Sequence, residues 1–169
     1  KNEESGSGLV IADEYLNAHE TPVGQGGNDV ENVIVDAYIK GVPLKKHSWE
    51  EAYAVLLKSA EKMRSPEYVQ KGFATDNKQT VSGVPYTWRF KPASVTMGFA
   101  FNDKAVAKMS FLMGKKEEFE KYEVRSANWI NVWNKEIESE GFYNFPQTRN
   151  TDGSFAAGFD AHKGYNTDF

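Results

Sequence analysis

The sequence predicts an all-α fold of helical hairpins with long aromatic loops, and three observations carry that prediction. Apolar residues recur at three- and four-residue spacing in four windows, while no useful stretch alternates with the two-residue period of a half-buried strand. Residues that start and stop helices bracket those windows. The long segments between and after them have no period and are rich in Phe, Tyr and Trp. The windows place helices over residues 29–40, 49–63, 95–113 and 117–135.

Residues 1–8 are polar and rich in Gly and Ser, the composition of a frayed end or linker. Residues 9–17 suit a short helix, and Pro22, Gly24, Gly26 and Gly27 punctuate a loop. Residues 1–27 therefore form one N-terminal unit and 28–169 a second. Asn28 can cap the first main helix, with Asp29 and Glu31 in its first turn. Val30, Val33, Ile34, Ala37 and Tyr38 are its apolar face, and Gly41 ends it. Ser48 and Glu51 have the spacing of a capping box. Trp49, Ala52, Tyr53, Leu56 and Ala60 then line the second helix.

Residues 64–92 form a long connection holding Tyr68, Phe73, Tyr86, Trp88 and Phe90, too aromatic for ordinary disorder. Ser94 can cap the third helix, whose predicted face is Met97, Phe101, Ala105, Met109 and Leu112. Gly114 suits the left-handed residue after a helix C-terminus. Glu117 and Glu118 open the fourth helix, which carries Phe119, Tyr122, Ser126, Trp129 and Trp133 on one face and puts both tryptophans in the core. So short a connection makes an antiparallel hairpin. The tail from residue 141 returns to the aromatic, glycine-rich style. Two hairpins, each followed by such a loop, suggest a helical toroid whose loops gather at one end.

The whole chain has 169 residues, 40% hydrophobic and 26% charged, with a net charge of −4. That is the composition of a soluble globular protein. The negative charge argues against a general nucleic-acid binder, which needs a clustered basic face. No apolar run approaches the roughly 18–20 residues of a membrane span. With no cysteine, disulfides and thiolate metal sites are excluded. His19, His47 and His162 lack metal-ligand spacing. Phosphate-binding glycine loops, the Gly-x-Ser-x-Gly elbow and the EF-hand pattern are also missing.

Four blocks in order resemble the family-92 glycoside hydrolases, calcium-dependent exo-α-mannosidases. Val35-Asp36-Ala37-Tyr38-Ile39-Lys40-Gly41 is similar to that family's Asp-Ala-Tyr-x-Lys-Gly block. The ten residues from Ser94 to Asp103 resemble Ser-Arg-Thr-Leu-Glu-Tyr-Ala-x-x-Asp. The spacing continues through Met113 to Phe119 and Arg125 to Trp129. Gly141-Phe142 and the run from Arg149 to Phe155 resemble Gly-Phe … Arg-Asn-x-Asp-Gly-Ser-Phe.

The resemblance implies that residues 28–169 are part of an (α/α)6 toroid, the catalytic domain of an enzyme that removes α-linked mannose from glycans with inversion. It implies calcium in the complete protein, held by later residues, and no calcium on this segment. It also implies a mannose-containing glycan as substrate, and a secreted or otherwise extracytoplasmic location. Four helices cannot close a six-hairpin barrel, so the remaining part of the same domain is the implied packing partner. The family's general acid is expected just beyond Phe169, leaving these residues inactive alone. Gly98 and Val95 stand where the family has Glu and Arg, and Gly98 suggests close packing or a relocated site. These departures favour the alternative, a non-catalytic glycan-binding or structural relative.

Glycoside hydrolysis requires two carboxyl groups flanking the scissile bond. Asp103 is either a solvated partner for Lys104 or Lys108 or a carboxylate close behind the sugar. Asp36 either pairs with Lys40, four residues on, or lies near the site. Asn28 and Asp29 either cap a helix or contact the sugar. Arg149 is a surface cation, a sugar contact or a holder of its loop. Trp88, with Tyr86 and Trp49, offers a ring face for stacking on a sugar. Asn28, Asp29, Asp36, Trp88, Asp103 and Arg149 are the candidate substrate-binding residues.

Overall fold

The computed structural model describes residues 30–62, 64–75, 80–81, 84–85 and 92–162. Helix α1 spans Val30–Ile39 and α2 spans Trp49–Lys62. Gly41 closes α1 with φ +65°, and Val42 N reaches back to Ala37 O at 3.0 Å. The capping box before α2 is formed in both directions. Ser48 N donates to Glu51 Oε2 (2.7 Å), and Glu51 N donates to Ser48 Oγ (3.1 Å).

The first long connection is less irregular than its composition suggests. It contains a short helix, α3 (Pro66–Lys71), and a two-stranded hairpin of β1 (Thr80–Val81) and β2 (Val84–Pro85). Ser65 caps α3 by accepting from Tyr68 N at 3.2 Å, Pro66 opens it, and Gly72 ends it at φ +81°. Serine, then proline, then glycine after a helix of 6 residues is a legible helix signal, hidden here by the short run between.

The fourth helix, α4 (Pro92–Leu112), is the centre of the fold and packs against α1, α2 and the helix that follows it. Val35, Tyr53, Leu56, Ala105 and Met109 form one core cluster; Ala60, Val106, Ala107 and Tyr122 form a second. Only part of the predicted α4 face is correct. Ala105 and Met109 are buried, but Met97, Phe101 and Leu112 are 37%, 60% and 42% exposed. Thr96, Asn102, Asp103 and Ser110 are buried instead. Each is polar but has a partner, so hydrogen bonds and not apolar spacing decide which way the helix faces. Pro92 begins the helix, which puts Ser94 inside the first turn and not at its cap.

Gly114, at φ +70°, ends α4 where expected, with Lys115 N bonded to Ser110 O. Helix α5 runs antiparallel to α4 over Lys116–Arg125 and then stops. A 3₁₀ segment covers Ser126–Val132, and a β-hairpin follows, β3 (Trp133–Ser139) with β4 (Phe142–Pro146). This overturns the single helix over 117–135, its core tryptophans and the absence of strands. Trp129 is 43% exposed and meets Trp133 edge-on, with ring centroids 6.1 Å apart. Asn131 explains the change. Its side chain donates to Gly72 O (3.0 Å) and its carbonyl accepts from Arg149 Nε (2.6 Å), contacts that replace another helical turn. The hairpin turns at Glu140 (φ +51°) and Gly141 (φ +84°), the two positive angles of a tight turn.

Candidate functional site

The densest chemistry lies around Asp103. Its Oδ1 accepts from Arg64 Nε and Nη2, both at 3.2 Å, and from Arg125 Nη2 at 2.8 Å. Its Oδ2 accepts from Tyr68 Oη at 2.8 Å and Arg125 Nε at 2.6 Å. Asp103 is fully buried, so it is not the solvated residue its sequence neighbours suggested. Lys104 turns outward to Glu123 instead. With five donors on two oxygens, Asp103 has no free lone pair aimed at a substrate. It ties α4 to α5 and to the α2–α3 junction.

The network spreads from there in two directions. Arg64 Nη1 also approaches Glu31 Oε1 at 3.4 Å, and Ser59 Oγ donates to that oxygen at 3.3 Å. Glu31 is fully buried, and its Oε2 has no hydrogen-bond partner. Burial raises its pKa, against the lowering influence of the Arg64 charge. On the other side Arg125 Nη1 reaches Glu61 Oε1 at 3.3 Å, an oxygen that also accepts from Tyr122 Oη (2.6 Å). Burial opposes the Arg125 charge, but the hydrogen bonds and charge of Asp103, with Tyr122 and Glu61, outweigh it and raise its pKa. Burial and the adjacent Asp103 push the Tyr68 hydroxyl far above its ordinary range, so it stays a donor. The guanidinium of Arg64 lies 5.0 Å from the centre of the Phe99 ring.

A second cluster joins the two long connections. Arg149 Nε donates to Asn131 O and Nη1 to Gly153 O, both at 2.6 Å. Its guanidinium lies 3.8 Å from the Phe155 ring centre and 5.7 Å from that of Phe73. Thr75 bridges to Arg149 through the backbone, and Lys71 Nζ donates to Thr151 O at 2.8 Å. The geometry makes Arg149 the holder of its own loop. Asp152 completes the turn by accepting from Ser154 N and Oγ.

The other candidates do not converge on these clusters. Asp36 is exposed and pairs with Lys40 at 2.6 Å, the helical ion pair its spacing suggested. Trp49 packs edge-on against Tyr38. Asn28, Asp29, Trp88 and Tyr86 lie outside the described residues, as does the expectation that Trp88 and Arg149 share one end. Gly98 has no close neighbour: an added Cβ would meet nothing within 4 Å, so close packing is not its reason. Sequence reasoning treated Glu31 as a first-turn acid and passed over Arg64 and Arg125. Their partners are 22 to 65 residues away in sequence, beyond the reach of local spacing.

Among the described residues no three His, Asp or Glu side chains are grouped to hold a metal ion. His47 faces Glu51 at 3.7 Å and His162 faces Glu140 at 2.9 Å. The donor set described does not fit calcium, which takes six to eight oxygen ligands. No described helix is long and apolar enough to cross a membrane.

Residues 10–169 match the profile of the glycosyl hydrolase family 92 catalytic domain. The chain belongs to that family. An uncharacterized secreted glycosidase of Arthroderma benhamiae is 28% identical over 148 residues, spanning 78% of this chain and 18% of that protein. A GH92 alpha-mannosidase from Bacteroides thetaiotaomicron superposes with a TM-score of 0.62 at 21% identity, over 79% of this chain and 16% of its own. The same enzyme in complex with mannoimidazole gives 0.63 at 20% identity, with the same coverage. These likenesses confirm the helix-rich fold, and the chain spans under a fifth of each relative's length.

Proposed function

We propose that this family-92 chain is part of the catalytic domain of an exo-α-mannosidase that releases mannose from glycans with inversion. The observation that carries the reading is the family match, which runs from residue 10 to residue 169. The likeness to a GH92 alpha-mannosidase that binds mannoimidazole supports the substrate class. The secreted glycosidase relative supports an extracytoplasmic location. The helices belong, on this reading, to an (α/α)6 toroid completed by the rest of the domain.

The residues divide into two roles. We assign sugar contact to Asn28, Asp29 and Trp88. Asp103 holds the scaffold beneath, and Arg149 fixes the loop from 149 to 155. Asp36 serves the helix through Lys40. A general acid must reach the leaving oxygen with a proton to give. Asp103 is saturated by donors and Glu31 is sealed from solvent. From the family resemblance, we assign the acid, its partner carboxylate and the calcium ligands to the remainder of the catalytic domain.

The test is to incubate the full-length protein with an aryl α-mannoside, with and without a calcium chelator, and to follow the anomer of released mannose by NMR. Calcium-dependent release of β-mannose supports the reading. Tight glycan binding without turnover would establish the non-catalytic alternative, which Val95 and Gly98 favour. Residues 1–169 expressed alone should release no mannose.

A further inference from the structure

One hydroxyl joins two stretches of chain that lie far apart in sequence. Thr96 sits near the start of α4, and its Oγ1 donates to Pro92 O at 2.8 Å. The same oxygen accepts from Ala74 N at 2.9 Å. Ala74 precedes, and Pro92 follows, the stretch that carries β1 and β2. Ala74, Thr75, Ala93 and Thr96 are fully buried, so losing the hydroxyl leaves the Ala74 N–H buried without its acceptor.

Helix propensity does not account for a threonine here. A β-branched side chain that bonds back to the carbonyl four residues earlier is a poor choice inside a helix. Its hydroxyl is used twice instead, once within α4 and once across to residue 74.

The stretch that Thr96 fastens is also tied elsewhere. The backbone of Thr75 bridges to Arg149, which bridges in turn to Phe155. Lys71 Nζ donates to Thr151 O, and the Phe73 ring lies against the Arg149 guanidinium. Residues 71–75 are therefore bound both to the start of α4 and to the loop from 149 to 155.

We propose that residues 71–75 are a strap that couples the start of α4 to the 149–155 loop, with Thr96 as its fastening. Loosening the strap at Thr96 loosens the loop, and loosening the loop at Arg149 loosens the strap, because coupling between two sites is reciprocal. A purely local role for Thr96 would confine the effect of its loss to Ala74 and the start of α4. The device is independent of the mannosidase reading.

The test is amide hydrogen exchange of the full-length protein, read by mass spectrometry on peptides that include residues 72–75 and 149–156. Residues 105–109, in the core of α4, are the control. Thr96→Val removes the hydroxyl and keeps the shape. It accelerates exchange about tenfold at 72–75 and also at 149–156, where the N–H groups of Asn150, Gly153 and Ala156 are hydrogen-bonded. The control stays at the wild-type rate. Thr96→Ser keeps the hydroxyl and restores slow exchange in both peptides. Arg149→Lys accelerates 72–75 as well as 149–156, and decides the matter alone if Thr96→Val does not fold. Acceleration confined to the substituted side in either variant overturns the proposal. So does acceleration that spreads equally to 105–109, which is loosening of the whole fold.

Discussion

Asparagine at position 103 keeps the shape of aspartate but removes its charge and turns one acceptor oxygen into a donor. If its oxygen takes the place of Oδ1, it can still accept from Arg64 and from Arg125 Nη2. The new amide then meets Arg125 Nε donor against donor, while Tyr68 Oη can turn its proton to Arg125 O and accept from the amide. Two guanidinium groups lose their shared counter-ion in a site with almost no solvent. Removing one partner of a buried ion pair costs about 3–5 kcal/mol. Glu31 and Glu61 still face Arg64 and Arg125, which puts Asp103→Asn near the lower end, about 3 kcal/mol. Urea denaturation of the full-length variant, followed by circular dichroism, measures it. A loss of under about 1 kcal/mol would refute the argument, by showing that the cluster relaxes or hydrates without penalty.

The raised pKa of Glu31 means that the folded state holds its proton more tightly than the unfolded chain. Its stabilising contribution is full below the ordinary value of 4.5 and is lost as pH rises through the raised value. Glu31→Gln should therefore gain stability relative to wild type as pH rises from 4.5, as denaturation midpoints across a pH series will show. Gly72→Ala should destabilise by about 1–2 kcal/mol from its left-handed backbone alone. A Cβ there would also lie 2.5 Å from Asn131 Nδ2, so urea titration should show a larger loss than that. Gly98→Ala has free space in a helix interior and should gain about 1 kcal/mol in the same assay. Arg149→Lys cannot reach both Asn131 O and Gly153 O, and amide exchange at residues 150–155 should accelerate without a comparable fall in the melting midpoint.

Local signals were read well wherever the chain answered only to its neighbours. Gly41 and Gly114 closed their helices, and Ser48 paired with Glu51, because those contacts span a few residues. The reading failed where a distant partner set the outcome. Asp103 looked like a solvated acid because Arg64 and Arg125 cannot be inferred from the sequence around it. Trp133 kept helical spacing past the point where Asn131 had committed its side chain to Gly72. The predicted apolar stripe of α4 missed because its buried polar residues have partners elsewhere. The family blocks supplied what spacing could not, although the sugar-facing candidates Asn28, Asp29 and Trp88 fall outside the described residues.

The β3–β4 hairpin has a consequence for association. Among the described residues it has no third strand, so both outer edges present backbone donors and acceptors that another strand could use. Phe142 and Tyr143, 72% and 59% exposed, make such an edge attractive to a second chain. Two features work against addition. Between Asn134 and Glu138 the register shifts, with residues 135–137 of β3 opposite the single Asn144 that separates Phe145 from Tyr143 on β4. That irregularity breaks the straight ladder a new strand would need. Lys135, Glu136 and Glu138 are exposed along the same stretch, so an incoming strand would have to desolvate charge to pair there. The hairpin's solubility thus depends on a bulge and three charged side chains, and substitutions that straighten or neutralise this strand would turn it into a self-association edge.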